Sequence, residues 1–121
     1  MRIVDVAEFY APKGGGVRTY INAKIAAGNA AGHEIVIIAP GPEDRTDVIG
    51  RSRIIWVKAP VLPVDRRYHV FWSEAPVHAL LEAEAPDLVE ASSPWQGARI
   101  VAHWNSARGR AAPKVLFQHA D

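Results

Sequence analysis

Three consecutive glycines, Gly14, Gly15 and Gly16, stand directly before a segment with helical spacing that begins at Val17. Glycine has no side chain to keep an anion at a distance. The first turn of a helix presents unpaired backbone N–H groups at the positive end of its dipole. Together they suit a phosphate group, with Lys13 and Arg18 as added positive charge. They equally suit a tight strand-to-helix turn that binds nothing, and the residues alone leave both readings open. The loop is not a dinucleotide fingerprint, because G-x-G-x-x-G is absent. It is not a P-loop either, since no lysine closes the required glycine spacing.

His119 is the second candidate. It ends the run Lys114-Val115-Leu116-Phe117-Gln118, and a histidine at a strand tip can donate a hydrogen bond, act as a base or touch a sugar. It can also pack under the next loop. Trp95, Tyr68, Phe71 and Trp72 read as core or loop packing before a sugar platform, with Trp95 the best exception because it follows another expected strand tip; Arg66 lies in the same aromatic-rich segment as Tyr68. Arg66-Arg67 reads first as a solvated loop, and only second as a contact to an anionic acceptor. Glu8 and Asp5 lie at the end of the first strand, where Glu8 either faces the site or caps a neighbour. The histidines show no metal-ligand spacing, and no G-x-S-x-G nucleophile elbow occurs. No metal and no cofactor are expected.

These residues need a scaffold that gathers them. Arg2–Ala7, Glu34–Ala39, Arg53–Lys58, Asp87–Ala91 and Lys114–Gln118 are short, apolar and β-branched, as buried strands are. A helix from Val17 has Val17, Tyr20, Ile21, Ile25 and Gly28 on one face and Gly32 as its stop. A second helix, capped by Ser73, runs to Glu84. A third begins with Ser93 as N-cap, Pro94 at its first position and Gln96 closing a capping box, and runs to about Arg108. Pro40-Gly41-Pro42 closes the second strand, residues 41–52 read as a polar loop, and residues 59–72 read as an apolar irregular segment. Strands alternating with helices predict a Rossmann-like α/β domain. Its sheet is mainly parallel, about five strands in order 3-2-1-4-5, with helices on both faces. In such sheets ligands bind at the carboxyl ends of the strands. The glycine loop, the segment around Trp95 and His119 all fall on that rim.

Composition fits one domain. The chain has 121 residues, no cysteine, and 14 Lys+Arg against 13 Asp+Glu. That balance argues against nucleic-acid binding by general electrostatics, and the lack of cysteine excludes disulfides and thiolate chemistry. No apolar run reaches the roughly 18 residues of a membrane span, so a soluble, cytoplasmic protein is expected.

Several stretches in order resemble the N-terminal domain of family-four glycosyltransferases. They are Met1–Val6 with Phe9–Tyr20, Ala31–Ile37, Ala85–Glu90 with Ser92-Ser93-Pro94-Trp95, and Lys114–His119. The resemblance implies a retaining, metal-independent, nucleotide-sugar-dependent enzyme with the GT-B fold, of which residues 1–121 would form an incomplete acceptor-side domain without its donor domain. It implies that Gly14, Gly15 and Gly16 lie beside the donor diphosphate and sugar, that His119 lies in the active site, and that Trp95 and residues 59–72 lie toward the acceptor. A membrane lipid would fit as acceptor. Alone, the chain is expected to be inactive. Its exposed fifth strand is expected to pair with a second copy or be covered by a missing C-terminal domain. A non-catalytic binding module of the same fold, and an unrelated Rossmann-like nucleotide-binding domain, remain open alternatives.

Overall fold

The computed structural model describes residues 1–8, 16–62, 65–92, 96–104 and 112–116, with backbone alone at 16–18, 62, 65–68 and 116. The elements are β1 (Arg2–Val6), α1 (Gly16–Ala30), β2 (Glu34–Gly41), β3 (Arg45–Ile49), β4 (Ser52–Lys58), β5 (Val61–Leu62), β6 (Asp65–His69), α2 (Ala75–Glu84), β7 (Leu88–Ala91), α3 (Gln96–His103) and β8 (Lys114–Leu116). Six strands form one sheet in the order β3-β4-β2-β1-β7-β8, parallel except for β3. The five expected strands keep their expected order, and β3 is added at the edge.

The apolar runs are continuous because both faces of the sheet are covered. Strand alternation sends Ile35, Ile37 and Ala39 of β2 toward Ile21 and Ile25 of α1. The intervening Val36 and Ile38 join Val4, Val6, Val77, Leu81 and Ile100 on the side of α2 and α3. Glycine at position 28 has a packing reason. A Cβ there would lie 2.4 Å from Cγ1 of Ile35, where α1 crosses β2. Tyr20, expected on the buried face, is exposed.

Residues 41–52 are not the loop expected. β3 pairs antiparallel with β4 through a two-residue turn at Gly50-Arg51, with Gly50 at φ 60. β3 lacks an apolar run because it is an edge exposed on both faces, with Val48 73% accessible. Asn29 of α1 ties the turn in place. Its Nδ2 donates to the Ile49 carbonyl at 3.0 Å, and its Oδ1 accepts from Ser52 Oγ at 2.6 Å.

Pro40-Gly41 does not end β2 either. Ile38 accepts from Ala7 on the β1 side and Gly41 accepts from Ala59 on the β4 side. By alternation, Pro40 faces the β1 side, where β1 has ended at Val6 and no ladder donor is needed. In the 59–72 segment β5 and β6 form an antiparallel pair. Glu74, not Ser73, stands at the N-cap of α2, and it makes no side-chain cap bond. Instead its carboxylate meets Nδ1 of His103 at 2.8 Å, joining α2 to α3. α3 ends at His103, before the expected Arg108, and Trp104 is buried just after it. β8 is described to Leu116 and forms the sheet edge opposite β3 among the described residues.

Candidate functional site

β1, β7 and β8 are parallel neighbours, so their carboxyl ends lie side by side. The chain leaves β1 toward residues 9–15, β7 toward 93–95 and β8 toward 117–121. Gly14, Gly15, Trp95 and His119 therefore lie outside the described residues, as do Ser93 and Pro94 of the expected capping box. Gly16 is the first residue of α1. Arg66 and Tyr68 sit on β6, which is not a strand of the six-stranded sheet, in a pair that the Val70 N–H closes onto the Pro60 carbonyl at 3.0 Å.

The best-defined group on this rim is Glu8, two residues beyond the end of β1 and fully buried. Its Oε1 accepts from the Gly97 N–H at 2.8 Å, and its Oε2 accepts from the Phe71 N–H at 3.2 Å. One carboxylate therefore holds the first turn of α3 and the chain that leads into α2. Burial pushes the carboxyl above its ordinary value, and the backbone bonds from Gly97, Phe71 and Gln96 work against that shift. Gly97 lets the helix come this close. A Cβ there would lie 3.2 Å from the Val6 carbonyl oxygen. Glu8 was expected to face the site or to cap or pair locally; it caps, but its donors lie 63 and 89 positions away in sequence.

Alternation along β1 turns Asp5 to the opposite face, toward α1. Asp5 accepts from the Ser92 N–H at 3.0 Å and from the Ser92 hydroxyl. Lys24 of α1 lies 2.8 Å from both Asp5 and Glu90. Burial opposes the charge of Lys24, but the two acids outweigh it and hold the ammonium above its ordinary value. This cluster joins α1 to the end of β7.

Beside the rim runs an apolar groove of about 630 Å³ lined by Val57, Lys58, Ala59, Pro60, Phe71, Trp72, Ser73 and Pro76. Phe71 is buried in its wall, whereas Trp72 is 85% exposed. A smaller hollow of about 180 Å³ lies between residues 71–74 and Gln96, Arg99 and Ile100 of α3. The segment Phe71–Ser73 is the wall shared by both. Apolar grooves bordered by a few polar groups are what organic ligands fill. Among the described residues no three His, Asp or Glu side chains gather as a metal site would require. No helix among the described residues is long and apolar enough to cross a membrane.

Sequence reasoning missed Gly97 and the groove. The groove had a partial signal in the aromatic and proline content of 59–72, whereas Gly97 had none, because its neighbour across the gap is β1.

Residues 15–121 match the family described as "Glycosyl transferase 4-like domain". The chain is also 29% identical over 123 residues to the GDP-mannose-dependent alpha-(1-6)-phosphatidylinositol dimannoside mannosyltransferase of Mycobacterium tuberculosis, in two strains. That alignment takes in 100% of this chain and 32% of the relative, so the chain spans about a third of the relative's length.

Proposed function

The chain belongs to the glycosyl transferase 4-like domain family, and from that premise we propose that it is the acceptor-side part of a sugar-transferring enzyme. The donor is a nucleotide-sugar, held mainly by a second domain of the GT-B arrangement that these residues do not include. GDP-mannose is the first donor to test, and a mannosylated phosphatidylinositol the first acceptor, because those words name the relative's activity. Transfer is retaining, needs no metal or cofactor and takes place in the cytoplasm. The chain alone does not turn over.

The single observation that carries this reading is the adjacency of the carboxyl ends of β1, β7 and β8. It supports a common site for the three segments that follow those strands. Gly14, Gly15 and Gly16, with the first N–H groups of α1, take the diphosphate and offset the charge it gains as the sugar departs. His119 lies against the transferred sugar. The groove beside Trp72 receives the acceptor, and Trp95, Arg66 and Tyr68 are the further residues to test for acceptor contacts. The edge of β8, where Val115 is 39% exposed, pairs with a second copy or is covered by the donor domain.

Calorimetric titration tests the reading. The chain alone should show no binding of GDP-, UDP- or ADP-sugars, and turnover should appear once a donor domain is supplied. No turnover in that combined protein would refute it. In the combined protein Gly15→Val should abolish donor affinity and His119→Ala should lower turnover; unchanged values would remove those two residues from the site.

A further inference from the structure

Phe71, Trp72 and Ser73 belong to no helix or strand, yet they form the wall between the two hollows. The buried Phe71 side chain packs into the core, and the backbone of the wall is held by the bonds that tie it down. Two are visible. The Val70 N–H donates to the Pro60 carbonyl at 3.0 Å, which ties the wall to the far side of the larger groove. The Phe71 N–H donates to Glu8 Oε2, which ties it to the end of β1. The other oxygen of the same carboxylate holds Gly97, next to Gln96 on the opposite side of the smaller hollow. The carboxylate thus bridges the two segments that flank that hollow. Trp72, the next residue after the pinned amide, leaves the surface from a backbone that Glu8 holds.

We propose that Glu8 is a positioning residue: its single carboxylate sets the spacing between the Phe71–Ser73 wall and α3, and so the shape of the groove that receives the acceptor. The role of the groove rests on the reading above, whereas the holding of the wall does not. An ionised carboxylate suits this task because both of its oxygens accept, so two N–H groups from distant segments can share it. A carboxamide offers one accepting oxygen and can keep only one of the two.

Hydrogen exchange at single amides, together with binding of n-octyl α-mannoside, tests this. In the unsubstituted protein the amides of Phe71 and Gly97 should exchange as slowly as that of Val36 in β2, although Phe71 lies outside regular structure. Rapid exchange at Phe71 would overturn the proposal without any substitution. In Glu8→Gln one of the two amides should exchange at least about tenfold faster while the other and Val36 hold. If all three accelerate together, or none does, Glu8 acts only through global stability or not at all, and the proposal fails. In Glu8→Ala both amides should be released and the octyl mannoside affinity should fall by about tenfold or more. Released amides with unchanged affinity would overturn the link to the groove. If the unsubstituted protein does not bind the mannoside, the acceptor reading falls, and exchange still decides whether Glu8 holds the wall.

Discussion

Asp5, on β1, and Glu8, two residues past its end, are three positions apart, and both are buried. Their surroundings differ in kind. Asp5 faces α1 and meets a charged partner, Lys24, which also carries Glu90. Glu8 faces the other way and is held by backbone N–H groups of two segments. A paired charge in the interior is costly to break, since removing one partner leaves the other uncompensated. A carboxylate on amides costs less to lose, but it fixes where backbone goes. The first arrangement fastens a helix to the sheet, and the second shapes a surface. Their odd spacing along the chain that runs out of β1 accords with side chains pointing to opposite faces.

The comparison can be tested by removal. Lys24→Met should cost the most, about 3–5 kcal/mol of unfolding free energy, because Asp5 and Glu90 are left facing each other without a cation. Urea denaturation measures it. A loss no larger than that of Glu8→Ala, expected at about 1–3 kcal/mol, would erase the distinction. Gly97→Ala should follow at about 1–3 kcal/mol, as the new methyl forces α3 away from the Val6 carbonyl. Its melting temperature should fall, and the Phe71 amide should keep its slow exchange if Glu8 still holds that side.

Acidity separates the buried acid from a partly buried network. The raised value of Glu8 means that the folded chain takes up a proton at a pH where the unfolded chain is still ionised. Through Glu8, stability therefore increases as pH falls from neutral toward the ordinary value of 4.5, and it is lost again as pH rises through the raised value. Glu34 runs the opposite way. Its partial burial is outweighed by bonds from Arg53 and Arg2, which lower its value. Its contribution is present above 4.5 and is lost as pH falls through the lowered value. Melts across this range should show Glu8→Gln losing the gain on acidification and Glu34→Gln losing the decline. The smallest effect on stability belongs to Trp72→Ala, within about 0.5 kcal/mol, because its side chain is out in solvent. Octyl mannoside binding should nevertheless drop, and a retained affinity would take Trp72 out of the groove's function.

The central fold was legible because β1, β2, β4 and β7 are buried on both faces and so show apolar runs. β3 escaped because an exposed edge strand carries Arg45, Thr46 and Asp47, which resemble a loop. Its pairing depends on β4 and on the glycine turn rather than on its own pattern. Pro40 misled for a related reason, since proline is tolerated in β2 only where a neighbouring strand has already ended. The glycine loop and His119 stood out as residue types at expected strand ends, but Gly14, Gly15 and His119 lie outside the described residues. The work of Glu8 was not legible, because its donors at Phe71 and Gly97 lie 63 and 89 positions away and are backbone groups that any residue there would offer.

The place of β1 in the sheet has a consequence for how the protein is made. β1 leaves the ribosome before the other strands of its sheet, yet it lies in the interior of that sheet, with β2 on one side and β7 on the other. Its first neighbour arrives with Glu34, paired to Arg2, and its second only with Leu88, paired to Ile3. At roughly 5–20 residues per second, several seconds separate the two events. During that interval the flank of β1 that will meet β7 has no native strand beside it, and Asp5 lacks Ser92. The short β3–β4 hairpin can close early and locally, whereas the central strand must wait for distant chain. Nascent chains stalled before Leu88 should therefore be the ones that chaperones hold longest.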